Sequence, residues 1–237
     1  MNHLLFAFVD SVAHLVSKDS AGKFANLQSK LWCNVGLVHQ KKRVEYSLSV
    51  TVNSGTVDFC ELQAQNGAHS VLIAEALRDN FKYARILTYY LIFTKSAVDK
   101  TKKFAYFPAL LNMIPIYKLL LFNGGSTTHL VENSHLWKVP VEKVSFGNEM
   151  HSEELEYHMF ENDNLKTFEI RFGHYDKVIK CVNSFESGRM QPLIGTANNR
   201  HELLKAGFVR QNEAYEKSVV GVCNGKAKTV KFRTFGR

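Results

Sequence analysis

The feature that most constrains this chain is an unbroken two-residue alternation beginning at Val44. Val44, Tyr46, Leu48, Val50 and Val52 are apolar, and Glu45, Ser47, Ser49 and Thr51 between them are polar. Successive side chains of a strand point to opposite faces, so the pattern predicts a strand with one face in a core and the other toward water. Asn53-Ser54-Gly55-Thr56 supplies turn-forming residues, and Val57 to Leu62 reads as the return strand of a β-hairpin.

Upstream the period is helical. Phe6, Val9, Ala13 and Val16 recur at spacings of three and four, with Phe8, Val12 and Leu15 widening the same face. Lys18 to Gly22 reads as a connection, and Phe24, Leu27, Leu31, Val35 and Val38 form a second amphipathic series. Two helices joined by a short turn must pack on something, because neither hides its stripe alone. The module boundary is expected near Gln40 to Arg43, where the period switches and charge clusters. Asp10 interrupts the apolar run Leu4 to Val9 and no basic segment precedes it, so no signal peptide is expected. Asn112, Pro115 and Lys118 break the run Phe107 to Phe122, so no membrane span is expected there either.

Leu27-Gln28-Ser29-Lys30-Leu31-Trp32 resembles the Leu-Val-Ser-Lys-x-Trp ending of an F-box. Counting back from Trp32, the leucine of the F-box opening Leu-Pro pair falls on Leu5. A module of this kind running directly into β structure is similar to the nematode-expanded F-box-related proteins. Two positions depart from the pattern: Phe6 stands where the proline belongs, and Gly22-Lys23 occupies a normally leucine-rich stretch. The resemblance implies a module that binds a Skp-type adaptor and so tethers an unknown target protein to a cullin ubiquitin ligase. It also implies that Leu5, Val9, Val12 and Val16 on the first helix, with Leu27, Leu31 and Trp32 on the second, hold or form the adaptor-facing surface. The competing reading is a plain helical hairpin that caps the next domain.

Between Ala64 and Lys103, Val71 to Leu77 and Tyr83 to Phe93 suit helix or strand by length, and the β-branched and aromatic content of Ile86 to Phe93 favours a strand. Further on, the segments Pro115 to Leu121, Pro140 to Phe146 and Leu165 to Ile170 succeed one another at intervals in the twenties. In each, two apolar residues flank one exposed position: Leu119 and Leu121, Val144 and Phe146, Phe168 and Ile170. Such a period suits a leucine-rich-repeat-like solenoid with parallel neighbouring strands, and an ordinary α/β sheet shows it too. Val178, Cys181, Val182 and Phe185 mark a helix over Tyr175 to Phe185, and His201 to Gly207 a short helix closed by glycine. Asn224-Gly225 sets a final hairpin between Lys217 to Cys223 and Lys226 to Phe232.

With 237 residues, 45% of them hydrophobic and 22% charged, the chain can bury one large core or a small module fused to a larger one. Cys33, Cys60, Cys181 and Cys223 lack Cys-x-x-Cys spacing and suit reduced thiols in a cytoplasmic or nuclear protein. The ten histidines include no His-Glu-x-x-His and no Cys/His cluster, and the pair His151 and His158 around Glu153, Glu154 and Glu156 reads as a solvated acidic segment. Gly124-Gly125-Ser126-Thr127 lacks the Walker lysine and reads as a surface turn, and no Gly-x-Ser-x-Gly elbow is present. No catalytic residue, metal site or cofactor is therefore assigned.

The formal charge of +8 suits acidic partners, nucleic acid or plain solubility. From Lys217 onward there are six basic residues and no acidic one. Lys226, Lys228 and, after a change of phase, Lys231 and Arg233 form an anion-binding candidate, with Phe232 and Phe235 available to stack on bases. A terminal edge strand guarded by lysines is the more economical alternative. The expected fold is α+β: an F-box-like helical module over 1–43, then over 44–237 a β-hairpin and an α/β leucine-rich-repeat-like layer from about 85. The expected function is a non-enzymatic substrate receptor, with nucleic-acid or anionic-ligand binding as the alternative and no membrane partner.

Overall fold

The computed structural model describes residues 2–53, 55–65, 70–71, 83–94, 107–124, 127–147, 150–171, 175–192 and 200–235. The helical period at the N-terminus becomes α1 (Asn2–Leu15), α2 (Lys18–Gly22), a 3-10 turn (Lys23–Asn26) and α3 (Lys30–Lys42). The expected connection over Lys18 to Gly22 is itself one turn of helix. Ser17 is extended, and its hydroxyl accepts the Ser20 amide at 3.1 Å, which satisfies a donor the helix leaves open.

The four segments share a core of their own, in which Val9, Ala13, Ala21 and Val35 are buried and Val16, Phe24, Leu31 and Trp32 pack against them. Trp32 meets Phe24 edge-on, with ring centroids 4.9 Å apart. Gly36 permits this closeness, because a Cβ there would lie 2.5 Å from the Ala25 backbone nitrogen. The helix ends where the period switched: Arg43 turns extended, and its buried guanidinium donates to the Ala13 and His14 carbonyls at 3.0 and 3.1 Å. Two of the carbonyls that α1 leaves open are thereby occupied.

The strands are β1 (Val44–Asn53), β2 (Thr56–Ala64), β3 (Ser70–Val71), β4 (Ala84–Thr94), β5 (Ile116–Asn123), β6 (Val141–Phe146), β7 (Thr167–Ile170), β8 (Val209–Gln211), β9 (Ala214–Cys223) and β10 (Lys226–Phe235). They form one sheet in the order β3-β2-β1-β4-β5-β6-β7-β10-β9-β8. The first hairpin forms as its alternation requires, with Gly55 at φ +82 in the turn. Leu48, Val50 and Val52 are buried, whereas Val44, at the strand's start, stays exposed. The ambiguous segment at Tyr83 to Phe93 is strand β4, parallel to β1. The other, Val71 to Leu77, lies outside the described residues beyond Val71.

Strands β4 to β7 run parallel in sequence order, and Leu119, Val144 and Phe168 are direct register partners, as the recurring spacing predicts. The basic C-terminal strand is not at the edge. It inserts between β7, to which it is parallel, and β9, to which it is antiparallel, which corrects the edge-strand expectation. The physical reason is apolar: Phe232 stacks beside Phe168 and Phe168 beside Phe146, each pair with centroids 5.2 Å apart, and lysine cannot keep a strand at the edge when its other face completes this ladder. Asn224 (φ 47) and Gly225 (φ 74) both take the left-handed conformation a tight two-residue hairpin needs.

The intervening helices are α4 (Phe107–Met113), α5 (Thr127–Glu132), α6 (Ser134–Trp137), α7 (Ser152–Glu156), which runs into a π-type turn (Tyr157–Glu161), α8 (Tyr175–Ser187) and α9 (Arg200–Lys205). Leu110, Leu130, Trp137, Leu155, Phe185 and Leu203 from these helices share one core with Leu48, Tyr89, Leu121, Phe146, Phe168 and Phe232 from the strands. The described helices between the parallel strands thus supply the other side of the core that these strands share. His158 and Glu154 are fully buried on the helix side, against the expectation of a solvated acidic segment, because Trp137, Tyr157 and Phe146 surround the His158 ring. Burial depresses the His158 pKa to about 3, so the ring is neutral. No helix among the described residues is long and apolar enough to cross a membrane.

Candidate functional site

Among the described residues, the second face of the sheet contributes nothing to the main core. Register alone dictates what it displays. One row across the strands reads Ser47, Thr88, Lys118, Lys143, Thr167, Lys231 and Ser218. The next reads Ser49, Tyr90, Leu120, Ser145, Glu169, Arg233 and Glu216.

Where the two rows meet over β5, β6, β7, β10 and β9, charges concentrate. Glu169, only 1% exposed, pairs with Lys143, with Arg233 Nη1 at 3.1 Å and with Lys118 Nζ at 3.7 Å. Glu216 pairs with Arg233 Nε at 2.6 Å and Lys231 Nζ at 3.4 Å, and Arg171 Nε donates to Ser145 Oγ at 3.1 Å. Five cations thus surround two carboxylates. Burial would raise the Glu169 pKa, but the hydrogen bond and charge of Lys143, the charge of Lys118 and the Ser145 hydroxyl outweigh it and hold the carboxyl below its ordinary value. Lys118 is depressed, first by burial and then by Lys143, Arg171 and Arg233, with Glu169 opposing. A half-buried lysine disfavoured by its neighbours is relieved by any anion that approaches it.

Lys118 also reaches a groove of about 690 Å³ at the starts of β1, β4, β5 and β6. Thr88, Arg85, Tyr117, Glu142 and Lys166 contribute to it from the sheet, and Val16 to Ser20 wall it from the α1–α2 connection. Wall and sheet are tied: Arg85 Nη1 donates to the Val16 carbonyl at 2.9 Å, and the Lys18 amide donates to Glu45 Oε1 at 3.3 Å. The Arg85 guanidinium lies over the Tyr117 ring at 5.2 Å. The surface is therefore rigidly backed, polar and net positive around Lys118, which suits carboxylate- or phosphate-bearing ligands.

The adaptor-facing residues implied by the F-box resemblance separate by exposure. Leu5 and Leu27 are 55% and 48% exposed. Val12 and Val16 on α1, and Leu31 and Trp32 on α3, are half-buried, and Val9 lies wholly inside the module, so it holds the helices together and presents no surface. Phe6, Phe8 and Leu37 are exposed and were not singled out as surface by spacing. Leu5, Phe8 and Val12 follow one another at three and four residues, one face of α1. Phe6 is the fifth residue of α1. A proline there would remove a helical donor and clash with the preceding turn, so Phe6→Pro would break the helix start instead of restoring an opening motif.

The four anion-binding candidates of the C-terminal hairpin do not form one stripe. No change of phase occurs along β10: Lys228 lies on the same side as Val230 and Phe232, where its ammonium donates to the Asn162 carbonyl, while Lys231 and Arg233 point to the open face. Lys226 is exposed beside the turn. Phe232 is fully buried in the core and cannot stack on a base, and Phe235 lies beneath the Arg233 guanidinium at 5.3 Å. Lys118, Lys143 and Glu169 stand in three different strands and Arg171 just past the end of β7, so local spacing could not reveal them, and only the register brings them together. The available signal was the polar position between the paired apolar ones, which is Ser145 in β6 and Glu169 in β7. The chain matches no protein-family model, no curated protein and no solved structure.

Proposed function

We propose that the chain is a non-enzymatic substrate receptor of F-box-like type, acting in the cytoplasm or nucleus. The helical module of residues 2–42 engages a Skp-type adaptor of a cullin ubiquitin ligase, and the open face of the sheet holds the target protein. One observation carries the reading: a helical unit with its own small core leaves Leu5, Phe6, Phe8, Leu27 and Leu37 exposed. So short a segment that displays this many large apolar side chains has a surface suited to a partner. The likeness of Leu27 to Trp32 to an F-box ending names the kind of partner. A parallel, leucine-rich-repeat-like arrangement of β4 to β7 is the corresponding reading of the recognition region.

The test is co-purification of the full chain with a Skp-type adaptor. Leu27→Asp and Phe8→Asp, both at exposed positions, should weaken association roughly thirtyfold, as expected when an interface anchor contributes about 2 kcal/mol. Trp32→Ala is the poorer probe because Trp32 also supports Phe24 and the module core. A folded chain that shows no adaptor binding at micromolar concentration, or binding unchanged by both substitutions, would sink the proposal.

A second reading, anionic-ligand or nucleic-acid binding, is favoured by the five cations around Glu169 and Glu216. Affinity for random DNA or RNA that falls steeply with salt, and falls again in Lys118→Ala with Lys143→Ala, would select it.

A further inference from the structure

Sequence spacing separates the histidines, yet folding brings two of them to one carboxylate. Asp10 and His14 lie one helical turn apart on α1, and α3 brings His39 across to them. His39 Nε2 is 3.0 Å from Asp10 Oδ1, and His14 Nε2 is 3.9 Å from Asp10 Oδ2. One atom from each of the three side chains can be chosen so that all lie within 4.8 Å of one another. The same ring nitrogen of each histidine therefore faces one of the two oxygens of a single, nearly buried carboxylate. The rings are held from outside the cluster: Tyr83 stacks on His14 at 5.6 Å and meets His39 edge-on at 5.2 Å, and the two imidazoles meet edge-on at 4.5 Å. Arg43, donating to the Ala13 and His14 carbonyls, fixes the end of α1 that carries His14.

We propose that Asp10, His14 and His39 bind one divalent transition-metal ion of the zinc class. His14 and His39 would ligate through Nε2 and Asp10 through one oxygen, with water completing the tetrahedron on the side of His14. Two imidazoles and a carboxylate are a donor set that suits zinc, and three protein ligands leave one position for solvent. Bonds of about 2.0–2.1 Å put tetrahedral ligand atoms about 3.4 Å apart, so the 3.0 Å His39–Asp10 pair opens slightly and the 3.9 Å His14–Asp10 pair draws in around the ion. His14 can make that movement, because its side chain is 23% exposed while His39 is fully enclosed. The ion would join α1 to α3 beside the start of β4, fixing the module's helices to each other whether or not an adaptor binds. The competing account is a hydrogen-bonded staple between two helices that takes no metal.

The experiment uses the full chain after chelator treatment, titrated with Co²⁺ as a spectroscopic substitute for Zn²⁺. Expected are saturation at one equivalent with the visible absorption of a four- or five-coordinate site, loss of that absorption on adding Zn²⁺, and a melting temperature raised by Zn²⁺. His14→Ala should abolish the cobalt absorption and weaken Zn²⁺ affinity tenfold or more, while its circular-dichroism spectrum is retained. His201→Ala, a histidine far along the chain on α9, should leave both unchanged. If His14→Ala does not fold, His14→Gln takes its place, with the same expectation. The proposal is overturned if one equivalent of Co²⁺ gives no visible band, or if the His14 variant binds Zn²⁺ as tightly as the parent chain.

Discussion

Glu154 offers the sharpest test of how this chain tolerates a carboxyl inside its core. It is the third residue of α7 and fully buried, and its Oε2 is 3.5 Å from both the His151 amide and the Asn123 side-chain nitrogen, two weak donors. Oε1 has no hydrogen-bond partner among the described residues. Burial raises the pKa from 4.5 to about 8; the two hydrogen bonds oppose the rise and the neighbouring Glu153 charge adds to it. At neutral pH the folded chain therefore keeps a proton that the unfolded chain has released. The sign follows: between pH 4.5 and about 8 the native state binds more protons, so stability falls as pH rises across that window. At about 1.4 kcal/mol per pH unit, the loss reaches up to about 3 kcal/mol by pH 7 and about 5 kcal/mol above pH 8. Glu154→Gln keeps the shape and removes the titration. Urea unfolding of parent and variant from pH 5 to 9 should show similar stabilities at pH 5 and a growing advantage for Glu154→Gln above it. A difference that stays flat with pH, or a variant less stable than the parent at pH 9, would refute the assignment of a buried neutral carboxyl.

Three further outcomes are expected. Glu169→Gln, which strips Lys143, Lys118 and Arg233 of their shared carboxylate, should lower urea stability by about 3 kcal/mol at pH 7. Because the Glu169 pKa is depressed, its contribution is present above the ordinary carboxylate range and lost as pH falls below it, opposite in sign to Glu154, and the parent–variant difference should shrink in acid. Gly36→Ala would force a Cβ to within 2.5 Å of the Ala25 nitrogen, so it should destabilise the helical module by roughly 1–3 kcal/mol, read as an earlier loss of helical circular dichroism on heating. The Cys181 thiol, fully buried and pushed up to about 12, should resist an alkylating reagent until the chain unfolds, whereas half-buried Cys33 should react in the native state.

The parts of this fold legible in the sequence are those written in local periodicity. The alternation from Val44 yields β1, and Asn224-Gly225 yields the hairpin of β9 and β10, because a strand's two faces and a left-handed turn are properties of adjacent residues. Recurrence of Leu119, Val144 and Phe168 was enough to place their strands side by side and parallel. The period switch at Arg43 marked the end of the helical module. What adjacency cannot encode came out differently. Lys18 to Gly22 closed into a helical turn because Ser17 caps it, and the basic final strand moved into the sheet because Phe232 completes an aromatic ladder with residues some 60 and 90 positions earlier.

The candidate sites lie almost wholly on that second side. The F-box resemblance pointed to Leu5 and Leu27, which are exposed, but it could not distinguish them from Val9, whose burial depends on how α3 crosses α1. The charge cluster of Lys118, Lys143, Glu169 and Arg233, and the meeting of Asp10 and His14 with His39, depend on register between strands and on helix crossing. By itself the sequence determined the period of the strongly patterned segments, and hence their elements and apolar faces. Only the tertiary structure decided which polar residues of the opposite faces meet, because the packing that buries the apolar faces fixes register and crossing without reference to the charges it brings together.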